Sequence, residues 1–133
     1  MPAAAHILLA HGSRDPHWSA AIEAVAARIR QLDPTARACC AYLEQAQPDL
    51  SAALDTLLAA HEPGSALTVL IWPMFLGLGR HARTDLPRTI AQIQANVRTH
   101  NPNVTLALQP AIAEHALVQD AMARTILHKP SKI

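Results

Sequence analysis

The apolar pattern of this chain changes period again and again, and that alternation limits the fold more than any single residue does. His6-Ile7-Leu8-Leu9-Ala10 is a short continuous apolar run, as expected of a strand buried on both faces. Trp18, Ala21, Ile22, Val25, Ile29 and Leu32 then recur at helical spacing, and Asp33-Pro34 ends the helix. Arg37 to Leu43 reads as a second strand, with Cys39, Ala41 and Leu43 on one face and Cys40 and Tyr42 on the other. Pro48-Asp49 opens a helix that buries Leu50, Leu54, Leu57 and Leu58, and Pro63-Gly64 stops it. Ala66 to Trp72 is a third strand, followed by a long loop from Pro73 to Arg83 with Pro73, Gly77 and Gly79 as potential hinges. Leu86, Ile90, Ile93 and Val97 mark a third helix, with Asp85 as the expected N-cap. Val104 to Leu108 is a fourth strand, and Leu117, Ala121, Met122 and Thr125 suggest a last helix before a frayed tail from Lys129 to Ile133.

The order is therefore βαβαβαβα. Repeated strand–helix–strand units require parallel strands, right-handed crossovers and helices on both faces of the sheet. With 133 residues and no linker, repeat or low-complexity segment, one domain spanning 1–133 is expected. At 14.3 kDa the folded surface should be roughly 6,800 Å², about a third of the unfolded surface, so the core needs no staples.

Composition removes several function classes. Half of the residues are hydrophobic, which excludes intrinsic disorder. A formal charge of +1 argues against a nucleic-acid partner. Cys39 and Cys40 are adjacent and cannot close a disulfide framework, which fits a reducing compartment and small core residues. No apolar run is long enough for a membrane span, and no positive region precedes the first apolar stretch, so a cytoplasmic protein is expected.

Parallel open sheets bind ligands beyond the carboxyl ends of their strands. His11 follows the first strand, Glu44 the second, and His81 the third. A histidine at a strand end is ordinarily a hydrogen-bonding loop residue. Three such residues on one edge instead form a two-nitrogen, one-oxygen set for a divalent first-row metal, with positions left open for chemistry. Arg14, Arg80, Arg83 and Arg88 stand near the same edge, either as solvated charges or as carboxylate clamps. Gly12-Ser13 before a helix offers backbone N–H groups to an anion, although no Walker lysine or dinucleotide glycine pattern is present. His17, His61, His100, His115 and His128 fall on helices or their ends, His6 starts a strand on the far edge, and Trp18 and Trp72 read as packing residues.

Leu8-Leu9-Ala10-His11-Gly12-Ser13-Arg14, with Leu43-Glu44 and Pro48 downstream, resembles the opening of the short CbiX-type class II chelatases. Pro73-Met74-Phe75-Leu76 through Gly79, His81, Asp85 and Pro87 is similar to that family's second signature. The resemblance implies a single-lobe, flavodoxin-like three-layer α/β sandwich: a four-stranded parallel sheet with helices on both faces. It implies insertion of cobalt, iron or nickel into sirohydrochlorin, with the metal as substrate and no organic cofactor. His11 and His81 map onto the family's metal-binding histidines, and Glu44 onto a glutamate that is a further ligand or proton acceptor. Ser13, Arg14, Arg80 and Arg83 are then candidates for holding the tetrapyrrole. Larger relatives carry two lobes per chain, so this single lobe is expected to pair as a homodimer.

Imidazoles must be unprotonated to ligate, so activity should rise with pH through the ordinary histidine range. Two rival readings use the same residues. Histidine phosphotransfer usually reads Arg-His-Gly, whereas Ala10 precedes His11 here. A divalent-metal carrier without insertion activity would use the same ligands, but would not need the long loop from Pro73 to Arg83.

Overall fold

The computed structural model describes residues 3–128 and 132, so most of the tail expected from Lys129 to Ile133 lies outside the described residues. Four strands, β1 (Ala3–Ala10), β2 (Arg37–Tyr42), β3 (Leu67–Pro73) and β4 (Val104–Leu108), form one sheet. Their order is β2-β1-β3-β4 and every pairing is parallel. Four α-helices alternate with them: α1 (Ala20–Leu32), α2 (Leu50–Ala59), α3 (Arg80–His100) and α4 (Ala116–Leu127). The α/β sandwich with a four-stranded parallel sheet is the architecture expected from the changes of period.

The two faces of the sheet are packed unequally. Ala5, Ile7, Leu9, Ala41, Leu67, Val69 and Ile71 point to the face covered by α2 and α3, where they meet Leu50, Leu54, Leu57, Leu86 and Ile90. Each fully buried Ile, Leu or Val there contributes roughly 1.5–3 kcal/mol. Leu8, Ala10, Cys40 and Tyr42 point to the other face and meet Ala26, Ile22 and Ile29 of α1. Cys39 packs with the first cluster and Cys40 with the second, the opposite-face arrangement that strand alternation requires. Tyr42 donates its hydroxyl to Glu23 Oε1 at 3.0 Å and so ties β2 to α1.

Several local expectations are corrected. In α1 the inward residues are Ile22, Ala26 and Ile29, whereas Trp18 lies in the preceding turn and Val25 and Leu32 are exposed. An alanine-rich helix offers a small residue to the sheet as readily as a large one, so its large residues alone mislead. α3 begins at Arg80 with Gly79 as its N-cap, so Asp85 lies inside the helix instead of capping it. Pro87 is exposed within α3, where the hydrogen bond it cannot make belongs to a solvent-facing turn. The loop expected from Pro73 to Arg83 is accordingly only residues 74–79. Last, α4 buries none of its residues; Leu117 is exposed, and Val118 is the half-buried position. Among the described residues, no helix is long and apolar enough to cross a membrane.

Candidate active site

β1 and β3 are the two central strands, and the chain leaves them in opposite directions, β1 toward β2 and β3 toward β4. The gap beyond their carboxyl ends is the topological switch point, where the loops diverge and leave a crevice. His11 is the first residue after β1, and the turn from Met74 to Gly79 follows β3. Two backbone bonds carry the β1–β2 pairing past the strands: Leu43 N to the Ala10 carbonyl and Glu44 N to the His11 carbonyl, both 2.9 Å. Met74 N donates to the Leu9 carbonyl at 2.8 Å and does the same for β3. The three strand ends are thereby fixed to one another before any side chain acts.

A cleft of about 330 Å³ opens at this edge, between the strand ends and the starts of α2 and α3. Its walls are mostly apolar, from Leu43, Leu50, Phe75, Leu86 and Ile93, with His11, Asp49, Ser51, Asp85 and Thr89 as polar members. Asp49 also caps α2, accepting from Ala52 N at 2.8 Å. The His11 ring stacks on Phe75, with centroids 4.3 Å apart and planes at 26°. In the sequence Phe75 stands out only as a member of the second signature, Asp85 as a member of that signature and a helix signal, and Asp49 as a helix signal alone; Thr89 carries no signal. Besides that signature, its place two residues beyond β3 marks Phe75.

The other expected site residues lie around this cleft. His81 is exposed in the first turn of α3, next to the cleft-lining Ala82. Glu44 is exposed and tied to His11 through the backbone alone. Among the described residues, no three His, Cys, Asp or Glu side chains are gathered as a metal-holding group, so the chain does not preassemble His11, His81 and Glu44 as a closed three-ligand set. Ser13 Oγ accepts from Asp15 N at 3.1 Å in a local turn. Gly12-Ser13 does not open a helix, because α1 begins only at Ala20 with Ser19 as its N-cap. The anion site expected at that point is therefore not built in that way.

Arg14, Arg80 and Arg83 are exposed. Among the described residues the one ion pair joins Arg124 to Asp120, which leaves these three guanidiniums without a carboxylate. Arg80 and Arg83 occupy the first turn of α3, which carries no acidic residue and no side-chain cap. Cations at the positive end of a helix dipole cost about 0.3–1 kcal/mol each, so this terminus favours an incoming anion. Trp72 lies on the opposite face, donating to His6 Nδ1 at 3.1 Å, with His115 nearby. The larger groove there, about 510 Å³, is almost wholly apolar apart from His6 and lacks the site's chemistry.

The CbiX family profile matches residues 5–128, nearly the whole chain. Among solved structures, the chain is similar to a protein described as a cobalamin (vitamin B12) biosynthesis CbiX protein from Marinobacter aquaeolei VT8. The TM-score is 0.73 at 29% identity, over 93% of this chain and 92% of that one. No curated protein matches the sequence. The profile spans both strand-end segments that build the cleft, and the structural match extends over the same sheet and helices. The chain belongs to the CbiX family of class II chelatases, which act in tetrapyrrole biosynthesis.

Proposed function

We propose that this chain inserts a divalent metal, cobalt, iron or nickel, into sirohydrochlorin. The observation that carries the reading is the place of His11: it lines an apolar-walled cleft at the switch point between β1 and β3 in a CbiX chain. A flat macrocycle has apolar faces and a rim of carboxylates. Apolar walls suit its faces, and Arg14, Arg80 and Arg83, with Ser13, suit its rim.

In the reaction the ion exchanges its own ligands for four ring nitrogens, and two pyrrolic protons leave. His11 and His81 hold the ion at the face of the ring or accept those protons, and Glu44 acts as a further ligand or acceptor. The open arrangement of these groups suits a metal that is substrate, since a closed set would retain it. Holding ring and ion together lowers the entropic barrier to their reaction. No organic cofactor has a role.

A cleft of about 330 Å³ is at the low end for a small-molecule site, and a four-ring macrocycle needs more wall than it offers. Pairing of two lobes in a homodimer supplies that wall. The setting we infer is the cytoplasm, where the adjacent thiols of Cys39 and Cys40 remain reduced. Anaerobic absorbance assays with sirohydrochlorin and, in turn, cobalt, iron and nickel test the proposal. Acceleration with at least one metal is expected; no acceleration with any of them contradicts it.

A further inference from the structure

Phe75 is the chain's single phenylalanine, and it sits in the turn between β3 and α3. Its backbone is held on two sides. Met74 N is bonded to Leu9 of β1, and the Phe75 carbonyl accepts from Ala113 N at 3.3 Å. The ring therefore stands on a fixed base.

The His11 imidazole has no comparable anchor of its own. Among the described residues, the side-chain hydrogen bonds of histidine rings are those of His6 and His61, and none involves His11. An exposed histidine with nothing to hold it samples several rotamers. Ligating histidines ordinarily take their orientation from a hydrogen bond to the second ring nitrogen. The stack on Phe75 offers another way. The nitrogen lone pairs lie in the plane of the imidazole, so an aromatic ring against one face restricts rotation and leaves both nitrogens accessible.

We propose that Phe75 is a positioning residue for His11: its ring, 4.3 Å away, fixes the plane of the imidazole at the cleft wall. This rests on the reading of His11 as a group that meets the metal. Phe75 acts through His11 and does not itself touch the ion. An aromatic face is what the role requires, so tyrosine replaces it and an aliphatic side chain does not.

The test uses the whole protein and Co²⁺ alone, titrated by visible absorbance, with the ring protons of His11 followed by NMR. Phe75→Leu is expected to remove the ring-current shift of the His11 protons and to weaken Co²⁺ binding about threefold to tenfold. Phe75→Tyr restores both. In a His11→Ala background, Phe75→Leu should add no further loss, because the two changes act on one interaction. Should Phe75→Leu fail to fold, Phe75→Met fills similar space without an aromatic face and is measured in its place. Wild-type Co²⁺ affinity in Phe75→Leu, or equal losses with and without His11, would overturn the positioning role. If His11→Ala alone leaves Co²⁺ affinity unchanged, the reading of His11 as a ligand fails and takes this inference with it. That failure shows with Phe75 intact, so the two are told apart.

Discussion

Gly12 lies so close to the carbonyl oxygen of Glu44 that a Cβ on Gly12 would overlap it. Its φ is +99°, a conformation that side chains other than hydrogen rarely adopt. The close approach is made by the same backbone bond, Glu44 N to the His11 carbonyl, that joins the ends of β1 and β2. Gly12→Ala should therefore cost more than about 1 kcal/mol of stability and displace His11 from the cleft wall. Urea unfolding together with the insertion rate checks this. An unchanged midpoint would mean that the two loops part without cost.

His11→Ala and His81→Ala are each expected to lower insertion on the order of tenfold or more, since even loss of a ligand's supporting partner costs that much. Both side chains are exposed, so neither change opens a core cavity, and circular dichroism should stay native. Glu44→Gln keeps the shape and removes the charge, and a smaller loss is expected. Near-native turnover in either histidine variant would refute its assignment.

Folded stability should fall in alkali. Burial, then the charge of Glu23, pushes the Cys40 thiol from 9.0 up to about 12. Burial and the hydrogen bond to Glu23 push the Tyr42 phenol from 10.0 up to about 12. Both groups hold their protons more tightly in the folded chain than in the unfolded one. Their contribution is full below the unfolded values and is lost as pH rises through the folded ones, a window from 9.0 to about 12. The urea midpoint should decline across that window, and Tyr42→Phe or Cys40→Ala should flatten the decline. A profile unaltered by both substitutions would contradict the cause given.

Assembly is open to a direct measurement. The chain keeps several large apolar side chains exposed among its described residues. Leu117, Ile126 and Leu127 on α4 are among its exposed apolar residues. Light scattering at micromolar concentration should give twice 14.3 kDa. A monomer mass that persists when tetrapyrrole is added would rule out the dimer.

The sheet was legible because its chemistry is local. In β3, Leu67, Val69 and Ile71 alternate with Leu70 and Trp72, so both faces are apolar and a doubly covered parallel strand follows. Strand ends then mark where His11 and the β3–α3 turn must lie. The start of α3 was not legible, because Pro87 and Asp85 both imitate a helix beginning that Gly79 in fact supplies. In α1 the stripe gave Ile22 and Ile29 but not Ala26, and in α4 it missed Val118, because alanines dilute the helical pattern. The overlap of Gly12 with Glu44 and the stack of Phe75 on His11 join segments far apart in sequence. No local pattern encodes such pairs.

The central claim is that the chain accelerates metal insertion, beyond binding the ion. Anaerobic single-turnover absorbance with sirohydrochlorin and Co²⁺, compared with and without the protein, separates the two. The account predicts a faster spectral change with the protein present, and its loss in the His11→Ala variant. Co²⁺ binding with a rate equal to the uncatalysed background, for this metal and for iron and nickel, would make the protein a carrier and contradict the account.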